Sequence, residues 1–234
     1  LIQMRSTEPA SSTPSCFSPL TILTASAVSL IPTGKGTPRS GKRLLAVGTD
    51  CSVGKMYTAL AIEKEMLKRN MKADFRATGQ TGIFIAGTGT SIDAVVADFI
   101  SGAVEELSPE NDSDHWDIIE GQGSLFHASY AGVSLGLLHG AQADALVLCH
   151  EPTRTHMRGL PHHPLPGLKA CMELNLVHAK LTNKDAKFVG VAINTSGLKE
   201  AERLEYLAGI EKEYGLPTVD PFKDGTAAIV DNLP

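Results

Sequence analysis

One glycine-bounded loop that carries a lysine constrains the fold of this chain more than any other stretch. The loop follows an apolar run at residues 44–47 and leads directly into a helix-like segment at residues 57–69. A strand, such a loop and a helix form a phosphate cradle, in which backbone N–H groups, a helix N-terminus and one ammonium group surround the anion. We therefore predict that a phosphorylated cofactor binds to Gly48, Thr49, Asp50, Cys51, Ser52, Val53, Gly54, Lys55, Met56 and Tyr57.

The loop departs from the common phosphate-binding motif in two ways. Five residues separate Gly48 from Gly54, where the common motif has four, and Met56 follows the lysine. The common motif has Ser or Thr there, whose hydroxyl ligates Mg²⁺, and a thioether cannot replace that hard oxygen donor. The sequence thus favours a loop that holds a polyphosphate without splitting it. A tight strand-to-helix turn without a ligand stays open as the alternative.

The composition argues against nucleic-acid and membrane partners, and the spacing of the cysteines argues against a zinc site. The chain has 234 residues and a net charge of −5, and it contains no lysine- or arginine-rich block, which argues against nucleic acid. No apolar stretch is long enough to span a membrane, so we expect no membrane partner. The four cysteines lack the close pairing of a zinc site and indicate reduced thiols in a cytoplasmic protein. They are Cys16, Cys51, Cys149 and Cys171.

The first 43 residues differ in composition from the rest of the chain. They are rich in Ser, Thr and Pro, and only the run at residues 20–31 is apolar enough for one strand or short helix. We therefore expect an N-terminal segment or remnant at residues 1–43, followed by a P-loop α/β domain at residues 44–234.

Apolar strand-like runs alternate with helix-like segments from residue 44 onward. The pattern predicts strands at residues 44–47, 73–78, 116–120, 145–150, 188–193 and 217–219. It predicts helices at residues 57–69, 92–101 (with Ser91 as N-cap), 134–139, 168–181 and 198–214. This alternation is typical of an α/β fold like that of P-loop NTPases, with a mostly parallel sheet and helices on both faces. Because such sheets bind ligands beyond the carboxyl ends of their strands, we expect the site where the strands end at Val47, Thr78, Glu120, His150 and Ile193.

Two residues on this edge are candidates for acid–base chemistry. Glu120 ends a strand and is followed by a glycine, so its carboxylate can face the phosphate loop as a base, a Mg²⁺ ligand or a hydrogen-bond acceptor. His127 lies seven residues further on and can titrate near neutrality. A solvated strand-end glutamate and a structural histidine are the alternatives.

The candidate substrate-binding groups are arginines and amides. Arg154 and Arg158 lie in a His- and Pro-rich loop at residues 151–167, and an arginine fork suits a carboxylate, so we expect them to grip an acidic small substrate. Arg76 is a second anion contact or a surface charge, and Gln80 lies in a Gly/Thr-rich turn beside it. Asn194 follows a strand and either reads a ligand or caps the next helix.

Four stretches together resemble known families. Residues 48–55 and the segment from Glu120 to Gly123 resemble dethiobiotin synthetase. Residues 48–56, 76–82, 120–126 and 146–154 more closely resemble a bacterial and archaeal P-loop family, long labelled as of unknown function, that includes D-glutamate N-acetyltransferases. This likeness runs from about Lys42 to the C-terminus and includes the methionine after the lysine. Members of that family share a further N-terminal domain of Rossmann type, which residues 1–43 do not resemble.

The closer resemblance implies acetyl transfer from acetyl-CoA to the amine of D-glutamate or a similar acidic amino acid. Lys55 and the loop amides would hold the phosphates of CoA, and Glu120 or His127 would act as the base. The carboxylates of the substrate would bind to Arg154 and Arg158, with Arg76 and Gln80, and the oxyanion to loop amides or Asn194.

Two further hypotheses follow from the more distant likeness and from the loop itself. The first is an ATP-dependent ligase or kinase with Mg²⁺ on Glu120, and the second is a nucleotide-binding module without catalysis. The sequence leaves open whether the protein is a homo-oligomer.

Overall fold

The computed structural model describes residues 33–234, so the run predicted at residues 20–31 lies outside the described residues. The strands are β1 (Lys42–Gly48), β2 (Ala73–Arg76), β3 (Trp116–Ile119), β4 (Ala145–His150), β5 (His156–Met157), β6 (Leu160–Pro164), β7 (Lys187–Ile193) and β8 (Thr218–Val219). Six of them form one parallel sheet in the order β2-β3-β1-β4-β7-β8, and β5 and β6 form an antiparallel hairpin.

The helices cover the two faces of the sheet, and all of those described here except the last lie in the connections between strands. In chain order they are α1 (Lys55–Lys68), α2 (Gln80–Ala86), α3 (Ile100–Leu107), α4 (Ala131–Ala141), α5 (Leu168–Ala179), α6 (Glu200–Tyr214) and α7 (Ala227–Asp231). Each helix among the residues that the structure describes is too short or too polar to cross a membrane.

Two apolar clusters lie on opposite faces of the sheet. Because side chains alternate along a strand, Leu44 belongs to the cluster beneath α1 and α7, whereas Leu45 belongs to the cluster beneath α3, α4, α5 and α6. The central strands β1 and β4 are buried on both faces, which is why they are apolar along most of their length. The predicted fold class, a parallel sheet with helices on both faces, is thus confirmed.

The helix predicted at residues 92–101 is wrong in most of its length. Two 3₁₀ turns, Ile92–Ala94 and Ala97–Phe99, occupy it, and α3 begins only at Ile100. Val95 and Val96, both β-branched, take extended ψ angles of 136° between the two turns. The Ser91 hydroxyl donates to the Asp93 carboxylate (2.8 Å) and makes no cap hydrogen bond to the backbone.

Three short elements were not predicted: α2, the β5–β6 hairpin inside the loop at residues 151–167, and α7. The segment before β1 is also bound to the domain. The Arg39 guanidinium donates to the carbonyl oxygens of Ser108 and Gly140, at 2.6 Å in each case. These bonds attach this segment to the turn after α3 and to α4.

Candidate functional site

The phosphate loop lies at the carboxyl end of β1 and borders a cleft of about 850 Å³. Gly54 has a φ of 104° at the start of α1, a left-handed conformation that favours glycine. The cleft is lined by four segments of the chain and by four isolated residues. The segments are residues 51–57 without Val53, residues 79–81, residues 120–123 and residues 158–159, and the isolated residues are Asp93, Tyr130, Val133 and Asn194.

Lys55 is the buried cation of the cleft. Its ammonium donates to the backbone carbonyl of Asp50 (2.7 Å), and burial lowers the pKa of this group. The neighbouring Gly121 permits a very close approach of two chain segments, because a Cβ there would lie 1.6 Å from the Ala46 carbonyl oxygen and 3.1 Å from the Lys55 side chain. A buried ammonium with one carbonyl partner is suited to an anionic ligand, since an anion would offset its lost hydration.

Asp50 ties the phosphate loop to the hairpin. Its carboxylate is fully buried, and Oδ1 accepts a hydrogen bond from the Cys51 N–H (2.7 Å). Oδ2 accepts from Arg154 Nη1 (2.6 Å) and from the Arg158 N–H (2.8 Å). Asp50 and Arg154 therefore have a structural position at the base of the loop, and neither lines the cleft.

Arg158 is held through both of its backbone polar groups. Besides the bond from its N–H to Asp50, its carbonyl oxygen lies 2.9 Å from Nε2 of the buried His127. His127 Nδ1 accepts from the Ser129 N–H (3.2 Å), so Nε2 carries the proton and donates to Arg158. Both ring nitrogens are thus engaged in the fold and His127 does not line the cleft, whereas Arg158 does.

Glu120 lines the cleft, as expected, immediately after β3. Oε2 of its buried carboxylate accepts from the N–H groups of Thr78 (2.9 Å) and Gly79 (3.0 Å), just ahead of α2. A Cβ at Gly82 would lie 2.3 Å from this oxygen, so α2 packs directly against the carboxylate. Glu120 therefore supplies the negative charge that favours the N-terminus of α2.

The other predicted ligand groups divide between the cleft and the framework. Gln80 and Asn194 line the cleft, and Asn194 Oδ1 accepts from the Ser196 N–H (3.2 Å). Arg76 does not: its Nε donates to the buried Asp117 (2.8 Å) and its Nη2 to Asp74 (3.3 Å). Arg76 therefore lies outside the cleft lining, and its bond to Asp117 holds its side chain against β3.

Besides Asp50, three residues of the phosphate loop do not line the cleft: Gly48, Thr49 and Val53. The Thr49 hydroxyl is paired with His150 Nδ1 (3.0 Å). Cleft residues that were not singled out as site residues from the sequence are Gly79, Thr81, Asp93, Gly121, Gln122, Gly123, Tyr130, Val133 and Gly159. The repeated glycines around Gln122 could have indicated the close approach of the loop after β3, but the others carry no local signal.

One group of potential metal ligands among the described residues lies at the phosphate loop. Asp50, Cys51 and His127 bring ligand atoms within 4.8 Å of one another, and of the three only Cys51 lines the cleft. The carboxylate and the imidazole already make the hydrogen bonds described above, so a metal ion there would displace the bonds that hold the hairpin. Glu120 and Asp93 are the carboxylates among the described lining residues of the cleft, and either could supply an oxygen ligand.

Comparison with known proteins gives a consistent family. A family model described as "Domain of unknown function (DUF1611_C) P-loop domain" matches residues 31–230. Two curated proteins named D-glutamate N-acetyltransferase, from Tritonibacter scottomollicae and a Pseudoalteromonas species, are each 58% identical, over 202 and 201 residues. The matches cover 86% of this chain and 61% and 60% of the relatives, so the chain spans about three fifths of their length.

A solved structure supports the fold. The crystal structure of a DUF1611 family protein from Anabaena variabilis aligns with a TM-score of 0.80 at 35% identity, over 86% of this chain and 60% of that one. The family match includes every cleft residue described above.

Proposed function

The chain belongs to the DUF1611 family of P-loop domains, and on that premise we propose that its cleft binds acetyl-CoA and transfers the acetyl group to the amine of D-glutamate or a similar acidic amino acid. One observation carries the proposal: a buried ammonium and a phosphate loop open into the cleft, while the residue after the lysine is a methionine. Such a site holds a diphosphate without the hydroxyl that positions Mg²⁺ for phosphate transfer. The name shared by two relatives supports the choice of reaction.

The donor end of the proposed site is the phosphate loop. Lys55 binds the diphosphate of acetyl-CoA by charge, together with the backbone N–H groups at the start of α1. On binding, the Lys55 ammonium gives up its hydrogen bond to the Asp50 carbonyl and forms an ion pair with the diphosphate.

The acceptor end is the side of the cleft that Arg158 and Gln80 line. The guanidinium of Arg158 binds a carboxylate of the substrate, and its fixed backbone lowers the entropy cost of placing it there. Arg154 and Arg76 are left out of this assignment, because Asp50 and Asp117 already engage them.

Proton transfer falls to Glu120, since His127 uses both ring nitrogens within the fold. Glu120 Oε2 is engaged by two backbone N–H groups, which leaves Oε1 to take a proton from the substrate ammonium. The neutral amine attacks the thioester carbonyl, a C–N bond forms and the C–S bond breaks. The thiolate takes up one of the two protons released from nitrogen, and the other passes to solvent.

The ATP-dependent alternative lacks a comparable argument. It needs Mg²⁺ at the phosphates, and Met56 supplies a thioether where the hydroxyl ligand belongs.

Two measurements test the proposal. Acetyl-CoA without Mg²⁺ is expected to raise the melting temperature of the protein, because a ligand that binds only the folded state stabilises it. Free thiol is then expected to appear from acetyl-CoA only when D-glutamate is present. Lys55→Ala should abolish both effects, whereas Lys64→Ala, an exposed lysine of the same helix, should change neither. Stabilisation by ATP with Mg²⁺ but not by acetyl-CoA would overturn the proposal.

A further inference from the structure

Two exposed aromatic rings lie together beside the phosphate loop. The ring centroids of Tyr57 and Phe222 are 5.8 Å apart, with their planes at 50°. Tyr57 lines the cleft and is 43% exposed, and Phe222, which lies outside the lining but against the Tyr57 ring, is 79% exposed. Removing an aromatic side chain from water is favourable, so a planar ligand that covers these exposed rings would be stabilised by their burial.

The loop that carries Phe222 is fixed by buried carboxylate bonds. Oδ1 of the buried Asp220 accepts from the Phe222 N–H (2.9 Å), and its Oδ2 accepts from both the N–H and the hydroxyl of Thr195. Asp224 in turn accepts from the Asp220 N–H (2.9 Å). The turn after β8 is therefore bound to the loop after β7, and Phe222 keeps its place without a ligand.

The adjoining loop brings an amide to the same end of the cleft. Asn194, directly before Thr195, lines the cleft, and its Oδ1 already accepts the Ser196 N–H. Its NH₂ group is the part left to donate to a ligand acceptor.

We propose that Phe222 and Tyr57 stack against the adenine ring of a ligand whose 5′-diphosphate is held at Lys55, with the Asn194 amide donating to a ring nitrogen. Tyr57 is two residues beyond Lys55 on α1, and a single ribose separates the base from the diphosphate in such ligands. Base–aromatic stacking tolerates different bases and strengthens binding substantially. The inference rests on the proposed function in that it requires a diphosphate at Lys55. An adenosine diphosphate group occurs in both CoA and adenine nucleotides, and the test separates these two sources.

The experiment compares the dissociation constants of CoA, ADP and inorganic pyrophosphate by calorimetry without Mg²⁺. Phe222→Ala is expected to weaken binding of an adenine-bearing ligand at least about tenfold, and to leave pyrophosphate within about twofold. Phe222→Trp, which keeps an aromatic ring at this position, should bind CoA and ADP about as tightly as the wild type does. Phe84→Ala removes an aromatic ring that is 87% exposed and that, unlike Phe222, is not paired with the Tyr57 ring, and it should change nothing. Binding of CoA but not of ADP by the wild type identifies the acyl carrier as the source, and binding of both with an equal loss in Phe222→Ala identifies the shared group. A loss for CoA while ADP still binds as to the wild type would refute stacking on the adenine ring.

The failure of this inference differs from the failure of the proposed function. If Lys55→Ala abolishes binding of all three ligands but Phe222→Ala binds CoA and ADP as the wild type does, the base site is refuted and the phosphate site stands. An equal loss for pyrophosphate in Phe222→Ala would also refute it, since the effect would then be structural. If the wild type binds none of the three, or if Lys55→Ala changes nothing, both proposals fail.

Discussion

Replacing Asp50 by asparagine tests whether one buried carboxylate holds the phosphate loop to the hairpin. The amide keeps the shape of the side chain but has a single acceptor oxygen, whereas the carboxylate accepts from the Cys51 N–H on one side and from Arg154 and the Arg158 N–H on the other. Whichever way the amide turns, at least one buried donor loses its acceptor.

The expected cost follows from these contacts. A hydrogen bond to a charged group contributes about 1.5–3 kcal/mol, and an orphaned buried donor costs about 1–3 kcal/mol. Arg154 limits the loss, because its side chain is 17% exposed and keeps Glu151 as a partner at 2.9 Å. We therefore expect Asp50→Asn to lower the free energy of unfolding by about 2–3 kcal/mol, or the melting temperature by roughly 4–12 °C.

Urea unfolding measures this change through the fluorescence of Trp116, the sole tryptophan of the chain, which is buried in β3. A double-mutant cycle with Arg154→Met should give a coupling free energy of about 1 kcal/mol or more. Asp231→Asn, which breaks a solvent-exposed pair with Arg69, should cost less than about 1 kcal/mol. A cost at Asp50 below about 0.5 kcal/mol, or additive effects of the two changes, would refute the reasoning.

Three further predictions concern other parts of the domain. Burial lowers the pKa of His150 to about 4. Because this histidine takes up its proton in the unfolded chain already below about pH 6.5, the free energy of unfolding falls as the pH drops from 7 to 5. In His150→Gln that fall should be smaller by about 2 kcal/mol. An unchanged pH slope would contradict this. Burial also raises the pKa of the half-buried Cys51 thiol, so iodoacetamide should label it more slowly than a free cysteine. Saturating CoA should prevent the labelling, as peptide mass spectrometry would show. The same labelling rate with and without CoA would count against ligand binding at the loop. Gly121→Ala places a Cβ against the backbone of Ala46 and should cost more than about 3 kcal/mol in thermal unfolding, whereas Gly209→Ala in α6 meets no atom within 4 Å and should stabilise by up to about 1 kcal/mol. Equal effects of these two changes would be the contrary result.

The sheet could be predicted from the sequence because its strands are buried on both faces. The run at residues 145–150 coincides with β4, and the predicted run at residues 44–47 lies inside β1. α2 could not be predicted, since its N-terminus depends on the carboxylate of Glu120, which is 40 residues away from Gln80 in sequence. The valine pair at residues 95–96 likewise interrupts an apolar pattern that is otherwise helical.

The site was predictable to the extent that residue type decides the role. Lys55, Glu120 and Arg158 line the cleft, and their chemistry and their positions after strands or in the long loop pointed there. Two arginines in one loop look equivalent in sequence, and only the fold reveals that the buried carboxylate of Asp50 takes Arg154. An ion pair between residues about 100 positions apart leaves no local pattern by which it could be recognised.

At position 158 the backbone holds the hairpin in place, and the side chain is left to contact a ligand in the cleft. Both tethers of the hairpin tip end on the peptide groups of Arg158, which every residue except proline possesses, so the side chain is not needed to keep the tip in place. Under the proposed function, changing this side chain would alter which small acids or amines fit the cleft while leaving the scaffold intact. This position is therefore a natural starting point for redesigning the selectivity of the protein, and a set of substitutions there should differ in ligand preference far more than in melting temperature.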